Sequence, residues 1–195
     1  ANDRSTDNTE KILNEYQNQD FNIKILNIEN TPIGWANKKW ALNQLINLAS
    51  SDIILQIDAD CIASEKWIHS MAIHFSDSKV GFVCGCSPLT HNDSLLNNLF
   101  QMESLIQESV NAGSVLNNMV VSCTGRNIAF RKKYFEEVDG YSGNEHIVSG
   151  DDDLLLQKIA IETNCVIKYS INPLSLVDSY APLKFSDFVS QRLRF

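Results

Sequence analysis

No stretch of this 195-residue chain approaches the ~18 uninterrupted apolar residues a membrane-spanning helix requires. Basic charge is also scarce. Sixteen Lys and Arg face 24 Asp and Glu, a formal net charge of −8, which argues against a nucleic-acid surface, since that needs a basic patch. It does not argue against a nucleotide ligand, because a bound cation reverses the local field. The five cysteines (Cys61, Cys84, Cys86, Cys123 and Cys165) are odd in number and scattered among apolar residues. Cys84 and Cys86 lack zinc-ligand spacing and have no partner pair downstream. Core packing in a reducing compartment accounts for them. The four histidines form no metal motif either, since His69 and His74 stand five apart and do not share a helix face as in HExxH. No signal-peptide pattern, internal repeat, low-complexity tract or linker interrupts the chain. What remains is an ordinary globular composition, 44% hydrophobic and 21% charged, long enough to bury a core as one domain.

Strand-like segments alternate with helical patterns. Strands are expected at 23–28, 52–57, 80–86, 127–131 and 165–169. Helices are expected at 7–19, 36–50, 65–75, 94–111, 132–138, 152–163 and 184–195. The second helix is the clearest, with Leu42, Leu45, Ile46 and Ala49 on one face. Asp7-Asn8-Thr9-Glu10 has the form of a capping box for the first. Such alternation predicts an α/β layered sheet, mostly parallel. Both ends read as cut: Ala1-Asn2-Asp3 has no strand before it, and Phe195 falls inside a helical pattern. A single domain over 1–195, part of a longer parent truncated at both ends, is the expectation.

The strongest chemical signal is the apolar run Asp52–Ile57 leading into Asp58-Ala59-Asp60. Open α/β sheets bind ligands at the carboxyl ends of their strands. In extended backbone, residues two apart face one side, so both carboxylates would converge. Two hard oxygen donors with open positions suit Mg²⁺ or Mn²⁺ shared with a phosphate. An acidic turn after a strand is the plainer alternative.

Four further segments accompany this pair: Asn2-Asp3-Arg4-Ser5-Thr6-Asp7-Asn8-Thr9, Gly34 to Asn43 with Lys38-Lys39-Trp40-Ala41-Leu42-Asn43, Ser149-Gly150-Asp151-Asp152-Asp153-Leu154-Leu155, and Gln191-Arg192-Leu193-Arg194-Phe195. In this order the five resemble the family-2 glycosyltransferases of the GT-A fold, in the membrane-associated branch that carries a Gln-x-x-Arg-Trp motif. The resemblance implies a three-layer α/β/α sandwich with a mixed, mostly parallel sheet. It implies an inverting, metal-dependent transfer of a sugar from a nucleotide-diphospho-sugar, a UDP-sugar favoured, to the hydroxyl of a carbohydrate or lipid-linked acceptor. The family's first strand, its helix and most of its second strand have no counterpart here. Asn2 stands where the first Asp of an opening pair is usual, and Phe195 where Trp is usual.

On that resemblance, Asp58 and Asp60 hold Mn²⁺ or Mg²⁺, which acts as a Lewis acid on the departing diphosphate. Asp3 accepts hydrogen bonds from the nucleoside, Lys38 pairs with a phosphate oxygen, and Lys39 is a solvated neighbour. Asp152, the second acid of the family's pair beside Asp151, is the general base. Crowding by Asp151 and Asp153 should raise its pKa. Arg194 reaches the diphosphate, while Gln191, Arg192 and Phe195 close the site on the acceptor side. Thr124 to Asn127 border the acceptor pocket, or form a plain turn entering a core strand. Trp35 and Trp40 are packing residues. No nucleic-acid partner is expected. A cytoplasmic location is, with the parent at the cytoplasmic face of a membrane through segments outside these residues. Two alternatives stand beside this reading. One is a magnesium-dependent phosphatase of the haloacid dehalogenase type, which also places Asp-x-Asp after an apolar strand. The other is a module that binds a sugar or nucleotide and has lost the chemistry.

Overall fold

A computed structural model describes residues 1–19, 22–89, 94–182 and 184–193, the side chain of Gln191 excepted. The chain divides into two compact units, Ala1–Ser50 with Tyr141–Val148, and Ser51–Gly140 with Ser149–Phe195.

In the first unit, Asn2 bridges in parallel to Asn27. Its N–H donates to Leu26 O at 2.8 Å, and Ile28 N–H donates to Asn2 O at 2.9 Å. The strand expected over 23–28 contracts to this bridge. Helix α1 (Thr9–Gln17) buries none of its residues. The expected capping box does not form there. Asn8 is the N-cap without a side-chain bond, and Asp7 accepts from Thr9 N–H instead, at 3.0 Å. Helix α2 (Asn37–Leu48) buries Lys39, Ala41 and Ile46, and the segment 141–148 is fastened to its start by Ala36 N–H donating to Glu145 O at 2.7 Å.

The second unit carries β1 (Ile53–Gln56), β2 (Cys61–Ala63), α3 (Trp67–Ala72), β3 (Val80–Gly85), α4 (Leu95–Leu116), β4 (Ile128–Arg131), α5 (Lys132–Glu137), α6 (Asp153–Glu162), β5 (Val166–Ser170), β6 (Val177–Ser179) and α7 (Phe185–Arg192). Four strands form a sheet in the order β1-β4-β3-β5, and β2 pairs with β6. The sheet is mixed, as expected, but its parallel share is smaller than alternation suggested. β4 runs antiparallel to both β1 and β3, and β3–β5 is the parallel pair. Alternation of strands and helices predicts parallel pairing only when each helix crosses between neighbours running the same way, and β4 does not. β2 and β6 are too short to have shown a period.

Every residue of β3 is buried, which requires cover on both faces of the sheet. Side chains alternate across it. Val83, Ala129, Ile53 and Leu55 join Trp67, Met71 and Phe75 in one cluster. On the opposite face Phe82 stacks on Phe130 at 5.8 Å, and Phe130 on Phe135 at 6.0 Å. In β1 this parity sends Gln56, cross-strand partner of Ile128, to the aromatic face.

Candidate active site

The turn after β1 presents the acidic pair. Asp58 O accepts from Cys61 N–H at 3.1 Å, so Asp58-Ala59-Asp60-Cys61 is a tight turn rather than the extended run expected from the sequence. The turn, and not strand parity, therefore sets where the two carboxylates lie. Asp58 is half-buried and Asp60 exposed. Burial raises the Cys61 thiol to about 11. At neutral pH it stays a thiol, donating to Asp60 Oδ1 at 3.6 Å. Two hard carboxylates suit Mg²⁺ or Mn²⁺, and among the described residues no third His, Cys, Asp or Glu completes a protein cage. That donor set fits a cation that keeps positions for water and ligand phosphate.

The second acidic group opens α6. Gly150 has φ +74°, a left-handed turn that glycine takes without penalty, and it delivers Asp151, Asp152 and Asp153 in succession. Asp153 Oδ1 accepts from Leu154 N–H at 2.8 Å. Asp151 is 6% exposed and accepts from Gln56 Nε2 at 3.1 Å. Asp152, 9% exposed, is the N-cap of α6 yet makes no side-chain capping bond. Its pKa is pushed up to about 6, first by burial and next by the charge of Asp151, partly offset by a bond from the Asp153 backbone. The direction matches the sequence expectation, but the leading cause is desolvation rather than crowding by like charge.

Asp152 lies against the loop before β4. A Cβ on Gly125 would stand 2.9 Å from Asp152 Oδ2, so any side chain at 125 would displace the carboxylate. Beside Gly125, Arg126 Nε donates to Thr124 Oγ1 at 3.1 Å. The charge of Arg126 lowers the pKa of Cys61, Cys86 and Glu108, opposing their burial. Gly125 thus lies against Asp152, and the charge of Arg126 is felt at Cys61, the residue after Asp60.

Asn127 and Lys39 are placed differently from expectation. Asn127, fully buried, donates from Nδ2 to Cys86 O at 2.9 Å and Ser175 O at 2.8 Å, and accepts from Trp67 Nε1 at 3.0 Å. Its amide ties three segments together and does not face a ligand. Lys39, expected to be solvated, is 0% exposed and donates from Nζ to Asn144 O at 2.8 Å. One helical step turns it from the exposed side occupied by Lys38 to the inside, where the return segment supplies a carbonyl. Asp3 pairs with Arg4 Nε at 2.9 Å. Trp35 and Trp40 pack edge to face at 5.2 Å. Arg192 pairs with Glu103 of α4 and lies 5.1 Å from the Phe188 ring, while Phe188 stacks on Phe100 at 4.1 Å. Arg194 and Phe195 lie outside the described residues, as does the Gln191 side chain.

Sequence reasoning missed Gln56 and Glu108, and it took Gly125 and Arg126 only as part of the 124–127 segment. Gln56 carried a signal, a lone amide inside an apolar strand. Glu108 is buried with Ser104 and Asn111 along one face of α4. It accepts from Tyr169 OH at 2.6 Å and Ser87 N–H at 3.2 Å, and burial raises its pKa.

The glycosyl transferase family 2 model matches residues 1–139. The poly-beta-1,6-N-acetyl-D-glucosamine synthase of Staphylococcus aureus (strain COL) is 30% identical over 201 residues, covering 100% of this chain and 45% of that protein. The chain thus spans about half the length of such curated relatives. Two solved structures share the fold. A mannosyltransferase from Pyrobaculum calidifontis, in complex with GDP-Man and Mn²⁺, has TM-score 0.67 and 18% identity, covering 98% of this chain and 49% of its own. The S. aureus TarS 1-349 complex with UDP-GlcNAc has TM-score 0.60 and 18% identity, covering 93% and 48%.

Proposed function

The chain belongs to glycosyl transferase family 2, with the GT-A fold, and from that premise we propose that it is the catalytic part of an inverting glycosyltransferase acting on a nucleotide-diphospho-sugar. Asp152 is the general base. The acceptor hydroxyl gives its proton to the Asp152 carboxylate as its oxygen bonds to the anomeric carbon. The bond from that carbon to the diphosphate breaks, and its electron pair leaves with the nucleoside diphosphate. A single displacement of this kind inverts the anomeric centre and needs no enzyme nucleophile. The observation that carries the reading is Asp152 itself: buried, against a residue that has no side chain, and with a pKa of about 6. Such a group is ionised at neutral pH yet more basic than an ordinary carboxylate. Asp151, hydrogen-bonded to Gln56, helps to raise that basicity.

Asp58 and Asp60 would hold Mn²⁺ or Mg²⁺, which when bound stabilises charge on the leaving diphosphate. Asp3, Lys38 and Arg194 are proposed for the donor. Thr124, Gln191, Arg192 and Phe195 are proposed for the acceptor side, Arg192 through its hold on α4. A UDP-sugar is favoured. The S. aureus relative named for poly-N-acetylglucosamine synthesis and the neighbour holding UDP-GlcNAc support an N-acetylhexosamine donor and a carbohydrate acceptor. The Mn²⁺ in the mannosyltransferase complex supports the choice of metal. Among the described residues no helix is long and apolar enough to cross a membrane, so attachment of a parent to the cytoplasmic face of a membrane rests on residues beyond these. Family membership displaces the phosphatase alternative.

Calorimetric titration of UDP with and without Mn²⁺ tests the donor site. Metal-dependent binding that disappears in Asp60→Ala is expected. Binding of UDP that ignores both metal and Asp60 would overturn the assignment. A wild-type rate of sugar transfer, surviving in Asp152→Asn, would overturn the base.

A further inference from the structure

Arg126 stands out among the groups that the proposed chemistry leaves unused. It lies in the loop before β4, half-buried, and among the described residues its side chain has one hydrogen-bond partner, Thr124 Oγ1, reached through Nε at 3.1 Å. That bond fixes the plane of the guanidinium and leaves the two terminal amino groups to point elsewhere. Glu108, a carboxylate on which its charge acts, is otherwise engaged. Glu108 accepts from both Tyr169 OH and Ser87 N–H, and no ion pair joins it to Arg126.

The surroundings are acidic. Gly125 touches Asp152, whose neighbours are Asp151 and Asp153. On the other side, Arg126 is close enough to Cys61, the residue after Asp60, to act on it electrostatically. A half-buried guanidinium that is held by Thr124, has no carboxylate partner among the described residues and follows the glycine against which Asp152 packs is arranged to receive an oxyanion. The fork of terminal N–H groups matches two oxygens of one phosphoryl group. We propose that Arg126 is a phosphoryl-binding residue of the transfer site, held for that purpose by Thr124. The inference deepens the transferase reading and rests on it for the identity of the site. The phosphoryl group has two sources, the diphosphate of the donor, on the side of Asp60, or a phosphate on the acceptor, on the side of Asp152.

The test is calorimetry on the 195-residue chain, wild type, Arg126→Gln and Arg126→Lys, with melting temperature as a check on folding. UDP with Mn²⁺ reports the donor. Inorganic phosphate, titrated alone and then onto UDP-saturated protein, reports a second phosphoryl position. If the donor is the source, Arg126→Gln weakens UDP about tenfold or more, the effect of losing a hydrogen bond to a charged group. If the acceptor is the source, UDP binding is unchanged and phosphate binding to the UDP-saturated protein is lost. In either case Arg126→Lys keeps the charge without the fork and restores part of the affinity, which a merely structural role would not produce. The inference is overturned if folded Arg126→Gln binds UDP and phosphate as the wild type does, or if the wild type binds neither. Asp60→Ala separates this from the larger reading. Metal-dependent UDP binding lost in Asp60→Ala but kept in Arg126→Gln, with phosphate binding also unchanged, leaves the donor site standing and removes Arg126 from it.

Discussion

Replacing Asp152 by asparagine removes the proposed base, and on the same physical argument it makes the fold more stable. The wild-type carboxyl moves from 3.8 to about 6 on folding. A raised acid pKa means that the folded state binds the proton more tightly than the unfolded state does. Its cost to stability is absent below about pH 4, grows as pH rises toward 6, and is complete above that. A shift of this size at ~1.36 kcal/mol per unit amounts to about 3 kcal/mol, and with Asp152 only 9% exposed solvent screens little of it. Asparagine is close in shape to the protonated acid and carries no charge at any pH. Urea unfolding in EDTA should therefore show Asp152→Asn more stable than wild type at pH 7.5, by roughly 1–3 kcal/mol. The gap should close as pH falls from 6 to 4. Sugar transfer should drop by about 10²-fold or more, and UDP binding should persist. In the wild type the transfer rate should rise with pH through about 6, as the base ionises. A variant as stable as wild type at pH 7.5, or less stable by a pH-independent amount, would refute the account of Asp152 as a desolvated carboxylate.

Gly125→Ala places a methyl group 2.9 Å from Asp152 Oδ2; the carboxylate must move, and transfer should fall about tenfold or more with little change in UDP affinity measured by calorimetry. Asn127→Ala leaves Trp67 Nε1, Cys86 O and Ser175 O without their partner. The expected loss in urea unfolding is about 2–4 kcal/mol, and a loss under 0.5 kcal/mol would contradict the structural role given to that amide. Arg192→Ala breaks an ion pair whose side chains are 36% and 40% exposed, so stability should change by no more than about 1 kcal/mol.

Much of the second unit was legible beforehand because its signals are local. The apolar runs at 53–56 and 80–85, the helix expected at 152–163 and the acidic residues that follow a strand or open a helix all survive in the structure. The strand expected at 23–28 did not, since among the described residues one bridge to Asn2 is all that pairs with it. Lys38 and Lys39 show how local reasoning fails. As adjacent helical lysines they look alike in sequence, yet one is exposed and the other has no exposed surface, because a carbonyl from residue 144 waits for it. The direction of β4 was equally out of reach, because pairing partners are chosen across the sheet and not along the chain.

The residues themselves determined that the chain carries two acidic groups at element ends, in the order and spacing of its family. Hydrophobic periodicity, glycine at the turn and the chemistry of carboxylates are properties of the nearest few residues. What each carboxylate can do was decided only by folding. The Asp152 carboxyl is raised above the ordinary carboxylate range because distant segments exclude water from it, and Gly125 admits it by having no side chain. Asn127 is withdrawn from any ligand because residues 41, 48 and 60 positions away claim its amide. Desolvation and hydrogen-bond satisfaction depend on groups remote in the chain, and a pattern of neighbours does not encode them.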